Sequence, residues 1–297
     1  MSKFAIAGLQ LALGFEDNMA TIEREIALTM VRFPWVNMIV LGELAPAGPV
    51  ALNAKPLPNA DERRFQHLAE EHGIWIVNGS TYEKAGDQIF NTCSVIDDRG
   101  RVIGRYRKMY PFLPYEKNVE GGSDFLVFDV NGVGRFGVSI CYDMWFPETT
   151  RTLAWMGAEA IIHPTLTNTI DRDIELSIVR ATAAMNQVYV VDINSAAPLA
   201  YGRSIVAGPN GRVLYQAGDQ QEVIPLTLDF DHVRDVRERG LLGLGQPLKS
   251  FRDGPSDFPV YSQGASASLA FKSMGPLEMP DRLTPSPPHA GREETSE

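Results

Sequence analysis

Cysteine is scarce in this chain: Cys93 and Cys141 are the only two among 297 residues. Two thiols cannot staple a secreted domain together, so a reducing, cytoplasmic setting is expected. Basic residues are also short, 27 against 37 acidic, for a net charge of −10. That balance argues against nucleic acid or an anionic membrane surface as partner. Long apolar runs are absent, none approaching the roughly 18 residues of a membrane span. The N-terminal stretch Met1–Gln10 has no small-residue cleavage site before the acidic Glu16 and Asp17, and it reads as a first strand, not a signal peptide. Asn78-Gly79-Ser80 fits a glycosylation sequon but, with no secretion signal, reads as a turn.

Several chemistries lack their motifs. The five histidines (His67, His72, His163, His232, His289) show no H-E-x-x-H spacing and the two cysteines lie far apart, so no metal is expected. No G-x-S-x-G elbow supports a serine hydrolase. Gly132-Val133-Gly134-Arg135-Phe136-Gly137 spells the dinucleotide fingerprint G-x-G-x-x-G. That motif needs a helix after it to meet the pyrophosphate. Here a strand follows, so the glycines read as a hairpin and no cofactor is expected.

What the sequence does contain is an alternation of apolar strands and amphipathic helices, with 44% hydrophobic residues to fill a core. Strands are expected at 4–10, 37–41, 74–77, 160–163, 188–193, 204–207, 212–216 and 222–228. Helices are expected at 18–32 with Asn18 as cap, at 60–72, from Pro147 to Gly157, and at 171–187. Hairpins pair 89–97 with 101–107 and, across Asn131-Gly132, 125–130 with 134–140. The class is α/β, with helix-covered sheets and antiparallel hairpins mixed in. No linker interrupts residues 1–252, which read as one domain. From 253 to 297 the composition shifts to Pro, Ser, Gly and charge. The last twenty or so residues are expected to be disordered or laid across a partner subunit.

The chemistry centres on Gly137–Glu148. A buried strand ends at Cys141, a tight polar turn follows, and Pro147 opens a helix. Such a cysteine is either a small packed hydrophobe or a nucleophile on a rigid support, with backbone N–H groups facing a developing negative charge. Glu43, at the end of the apolar strand 37–41, is a loop charge or a base. Lys108, at the end of Arg101–Lys108, is one more exposed cation or an oxyanion donor. Glu116 follows Pro114, which stiffens its approach. A carboxylate, an ammonium and a thiol at neighbouring strand ends are the parts acyl transfer requires. His163, before Pro164, is the second-ranked base; a histidine in an apolar strand is more often a hydrogen-bonded core residue.

Glu43, Tyr106-Arg107-Lys108, Cys141-Tyr142-Asp143 and Phe146-Pro147-Glu148 together resemble the nitrilase superfamily of carbon–nitrogen hydrolases. The likeness runs from about residue 4 to about 250 and includes Asn91-Thr92, Gly157-Ala158-Glu159, Gly202-Arg203-Ser204 and Gly208–Gly211. It implies a four-layer α-β-β-α sandwich of mixed sheets, with subunits paired as a homodimer or larger homo-oligomer. It also implies a Glu43–Lys108–Cys141 triad joined by Glu116. Tyr142-Asp143, where nitrilases usually carry Trp-Glu, favours amides as substrates, as does the similarity of Lys108–Glu116 to aliphatic amidases. The expected reaction is hydrolysis of a small carboxamide by water through a thioester. The Tyr142 backbone N–H would aid the oxyanion. Met144 and Trp145 would be either pocket wall or core. A nitrile or N-carbamoyl-amide hydrolase, or a silent assembly subunit, are the alternatives. Many relatives carry His two places after the lysine; Tyr110 stands there, a departure that bears on pocket shape.

Overall fold

Period-2 alternation decides the architecture. In the computed structural model, which describes residues 2–113, 115–254 and 257–277, Ile6, Met38, Val40, Val77, Cys93 and Val95 share one buried cluster with Phe136, Val138, Ile162, Val191 and Ile193. Their sequence neighbours Ala7, Leu9, Ile39, Leu41, Ile76 and Ile96 belong to a second cluster with helix residues Met19, Ile22, Ile26, Phe65 and Leu68. Each strand therefore puts one face into an inter-sheet core and the other under helices.

In chain order the strands are β1 (Lys3–Gln10), β2 (Met38–Leu41), β3 (Trp75–Val77), β4 (Thr81–Ala85), β5 (Gln88–Ile96), β6 (Val102–Arg107) and β7 (Leu126–Val130). Then follow β8 (Gly134–Val138), β9 (Ala160–Pro164), β10 (Tyr189–Ile193), β11 (Ile205–Ala207), β12 (Val213–Gln216) and β13 (Glu222–Asp229). One sheet runs β13-β1-β2-β3-β5-β4 with β6 paired to β5, and the other runs β12-β11-β10-β9-β8-β7. Both are mixed: β1, β2 and β3 are parallel, as are β8, β9 and β10, while hairpins and β13 pair antiparallel. The helices α1 (Met19–Arg32) and α2 (Ala60–His72) cover the first sheet. The second is covered by α3 (Pro147–Trp155) and α4 (Arg172–Asn186), through Leu153, Leu176, Val179 and Ala183. This is the four-layer α-β-β-α sandwich. Rings close the middle: Phe4 meets Phe136 edge-on at 5.5 Å, and Trp75 stacks on Phe128 at 5.6 Å.

The expected elements recur within a residue or two, with three differences. Asn18 precedes α1, but its side chain does not cap it: Oδ1 accepts from Gly14 N–H, and Nδ2 donates to the carbonyls of Gly14 and Ala45. Asp17 accepts the Met19 N–H instead. Strand β4 is an addition, as are α5 (Phe230–Arg239) and α6 (Pro247–Asp253). The first hairpin is thus three-stranded. The glycines of Gly132–Gly137 do form a hairpin: Gly132 takes φ +74°, and a Cβ on Gly134 would collide with the Phe230 ring.

The described residues fall into two units, one drawn from 1–111 and 118–255, the other from 112–117 and 256–297. In the second unit Pro259–Gln263 and Leu269–Lys272 are short helices, and Phe258 packs on Tyr261 at 5.7 Å. The last twenty residues, expected to be disordered or docked on a partner, lie outside the described residues. Among the described residues no helix is long and apolar enough to cross a membrane.

Candidate active site

Strand ends build the site. Chain β2 stops at Leu41, and two residues later the Glu43 N–H donates to the Thr165 carbonyl at 3.1 Å, just past the end of β9. On β6 alternation separates the cations. Arg105 and Arg107 pair with Glu62 and Glu83, each at 2.8 or 2.7 Å, while Tyr106 and Lys108 are turned inward and buried. Lys108 is therefore not another exposed cation. Its Nζ donates to Glu43 Oε1 at 2.8 Å, with side chains only 2% and 4% exposed. The same Oε1 accepts from Asn91 Nδ2 at 2.8 Å, and the Asn91 carbonyl takes the Lys108 backbone N–H. A buried ion pair needs such extra donors to offset desolvation. Asn91 thus positions both members at once; in the sequence it stood only as part of the family pattern.

Cys141 lies beyond the end of β8, which stops at Val138. It takes φ +46°, a left-handed conformation unfavourable for any residue with a Cβ, and begins the 3-10 turn Cys141–Trp145. Asp143 fixes this turn. Its Oδ2 accepts from Ile140 N–H and the Tyr106 hydroxyl, and its Oδ1 from the N–H groups of Met109 and Tyr110. One carboxylate so joins the cysteine turn to the segment carrying Lys108. Burial pushes Asp143 up to about 6, against the pull of its four donors. Burial likewise raises the Cys141 thiol well above its ordinary value; the Glu43 charge adds to this, Lys108 opposes it, Glu175 adds again, and the Thr165 hydroxyl opposes.

The other expected residues each have contacts of their own. Tyr142 sits in the turn with its ring 6.1 Å from that of Trp145. Met144 packs among Leu153, Ile161, Leu176 and Val179, the core fate of its two. Trp145 donates from Nε1 to Glu175 Oε1 at 3.4 Å. Glu116 belongs to the second unit, where its Oε2 accepts the Phe112 N–H at 2.6 Å. Tyr110 stacks on Phe146 at 3.5 Å. His163 has its Nδ1 2.8 Å from Ser139 Oγ and its Nε2 3.9 Å from Asp192; burial holds it down at about 4. That is the hydrogen-bonded core histidine. Glu175, Arg172 and Asp192 form a further buried ionic cluster. The one sign of it in the sequence was Asp192, a charge inside the apolar strand 188–193.

The carbon-nitrogen hydrolase family model matches residues 3–238. The chain belongs to the carbon–nitrogen hydrolase family. It is 30% identical over 265 residues to Omega-amidase NIT3 of Saccharomyces cerevisiae, spanning 80% of this chain and 90% of that protein. It is 27% identical over 201 residues to human Omega-amidase NIT2, spanning 63% and 72%. The crystal structure of yeast Nit3, a member of branch 10 of the nitrilase superfamily, superposes with a TM-score of 0.74 at 29% identity, covering 80% of this chain and 94% of that one. The amidase from Nesterenkonia sp. AN1, solved as an alanine mutant in complex with butyramide, has the same fold at 24% identity and a TM-score of 0.70, covering 79% and 94%. This carbon–nitrogen hydrolase is accordingly a hydrolase of the amidase type, acting on carbon–nitrogen bonds.

Proposed function

We propose that the chain hydrolyses a small carboxamide to the carboxylic acid and ammonia, with Cys141 as nucleophile, Glu43 as general base and Lys108 as oxyanion donor. The observation that carries this is the buried Lys108–Glu43 pair, at 2.8 Å, whose two charges both act on the Cys141 thiol. Burial keeps the proton on sulfur at rest, so the nucleophile has to be deprotonated as it attacks. Glu43 takes that proton while sulfur adds to the amide carbon. The oxyanion falls to Lys108 and the backbone N–H of Tyr142, and one such donor is worth about 10²–10³ in rate. Glu43 then returns the proton to the departing nitrogen, releasing ammonia and leaving a thioester. A water adds to the thioester as Glu43 takes its proton, and the adduct collapses to the carboxylic acid as Glu43 passes that proton to the departing Cys141 sulfur.

The yeast and human relatives, both named omega-amidases, support an amide over a nitrile. The role expected of Glu116 rests on the family resemblance. The test is ammonia release from matched amides, nitriles and N-carbamoyl amides, with Cys141→Ala as blank. Amides should be turned over fastest, and brief exposure should add one acyl mass to Cys141. Release by the alanine variant, or preference for nitriles, would remove the reading. A chain with no turnover and no adduct would be an assembly subunit.

A further inference from the structure

The proposed reaction leaves a second set of buried charges beside Cys141 unused. Helix α4 supplies Arg172 and Glu175, β10 supplies Asp192, and the segment after β9 supplies Thr165 and Thr167. Arg172 bridges two carboxylates: Nη1 donates to Glu175 Oε2 at 3.1 Å, and Nη2 donates to Asp192 Oδ1 and to the Arg203 carbonyl. Thr167 Oγ adds a 2.7 Å bond to the same Glu175 Oε2. Among the described residues Oε1 receives only the 3.4 Å bond from Trp145 Nε1. Glu175 keeps 12% of its side chain exposed, where Arg172 and Asp192 keep 2%. The carboxylate is thus held firmly by one oxygen and presents the other.

Two of the three ties of Glu175 lead back to the nucleophile. Trp145 closes the turn that begins at Cys141. The Thr167 hydroxyl lies 3.3 Å from that of Thr165, whose carbonyl holds the Glu43 N–H. The charges around the thiol do not balance. Lys108 cancels Glu43, but Arg172 faces both Asp192 and Glu175, and His163, held at about 4, is neutral at working pH. Asp143 adds a further buried carboxylate whose donors are all neutral, so the set is negative overall, and Glu175 is its more exposed end.

We propose that Glu175 is a specificity residue that makes this enzyme select amides with a neutral or cationic acyl chain over those ending in a carboxylate. The proposal rests on the amidase reading above and names its substrate class. When the amide carbon meets sulfur, nitrogen must leave toward Glu43 and oxygen must face Lys108. The third substituent, the acyl chain, is directed away from both, toward the Trp145–Glu175 side of the thiol. A second carboxylate brought there, out of bulk water, meets a like charge that is poorly screened. The indole of Trp145 offers an apolar face to an alkyl chain and a favourable one to a cation.

Butyramide, 3-aminopropionamide and succinamate differ only at the chain end (methyl, ammonium, carboxylate) and make the test, run at pH 8. Wild type should show kcat/KM for the first two at least about tenfold above succinamate. Glu175→Gln should shrink the ratio of 3-aminopropionamide to succinamate by at least about tenfold, while Asp173→Asn, an exposed carboxylate on the same helix paired with Arg203, should leave it alone. Succinamate as the best wild-type substrate, or a ratio that Glu175→Gln moves less than about threefold, overturns the proposal. A readout independent of turnover is alkylation of Cys141 by iodoacetamide and iodoacetate, followed by peptide mass. Glu175→Gln should narrow the rate difference between the two reagents, and an unchanged difference counts against Glu175. If no amide is hydrolysed yet the alkylation difference narrows, the amidase reading fails and the charge assignment stands.

Discussion

Cys93 and Cys141 belong to the same inter-sheet cluster, both are buried, and burial raises the proton affinity of both. Their placement differs, and only Cys141 is the nucleophile of the proposed reaction. Cys93 sits in the middle of β5, opposite Tyr106 in the ladder, and its thiol makes a long 3.9 Å contact with the Ser94 carbonyl. Cys141 sits past the end of β8, in a left-handed conformation, at the start of a turn, with the charges of Glu43, Lys108 and Glu175 acting on it. Burial and thiol acidity therefore do not separate a packed cysteine from the proposed nucleophile. Chain termination does. A strand interior spends its backbone groups on neighbours, whereas a strand end brings side chains from two sheets to one point.

The sharpest way to break the contrast is to remove each sulfur. Cys141→Ala should lower amide turnover by at least about 10⁴-fold. Cys93→Ala should keep turnover and cost only about 1 kcal/mol of stability, as a small core truncation does, measured by urea unfolding. Equal activity losses would mean that termination is not what distinguishes them.

Next comes the cation. Lys108→Met should lower kcat by about 10²–10³-fold through the lost oxyanion donor. It should also cost about 3–5 kcal/mol, because Glu43 is left as a buried, unpaired charge. A variant with full activity at unchanged stability would show the ion pair to be incidental to Cys141. Asp143→Asn should do less, about tenfold to 10²-fold on kcat. An amide NH2 would face N–H donors that now share one carboxylate, loosening the join between the cysteine turn and the Lys108 segment. Unchanged turnover with intact folding would separate that join from catalysis.

Those outcomes bear on what was legible in the sequence. The strands were, because continuous apolar runs such as Asn37–Leu41 and alternating ones such as β5 carry their own periodicity. So were Glu43, Lys108 and Cys141, each at the end of such a run, although their convergence came from family resemblance and not from spacing. Their second layer was not legible. Asn91 and Asp143 are short polar residues whose importance lies in which backbone N–H they meet across the fold. Glu175 reads as a surface charge on a helix, since nothing nearby in sequence announces Arg172–Asp192 as its partners. Asn18 was misassigned for a similar reason: its cap position is local, but its hydrogen bonds go to Gly14 and Ala45. Strand β4 was missed because Thr81–Ala85 is short and carries Glu83 and Lys84.

The smallest effect on turnover is expected at His163, and it extends the comparison from thiols to buried titratable groups. His163, held at about 4 against an ordinary 6.5, is neutral when folded and protonated more readily when unfolded. Its contribution to stability is complete above about pH 6.5 and is lost as pH falls toward 4, in all about 2–3 kcal/mol. Asp143 runs the other way. Raised to about 6 from 3.8, it binds its proton more readily in the folded state, so its term favours the fold as pH falls through the same window. The two offset each other, and wild type should show little net slope from this pair. His163→Asn should expose the Asp143 term alone: the variant is less stable than wild type at pH 7, and the gap should narrow by about 2–3 kcal/mol by pH 4.5. Urea unfolding at the two pH values measures it. A gap that stays constant would mean that His163 is not held neutral by burial, and that Ser139 and Asp192 stabilise its charged form instead.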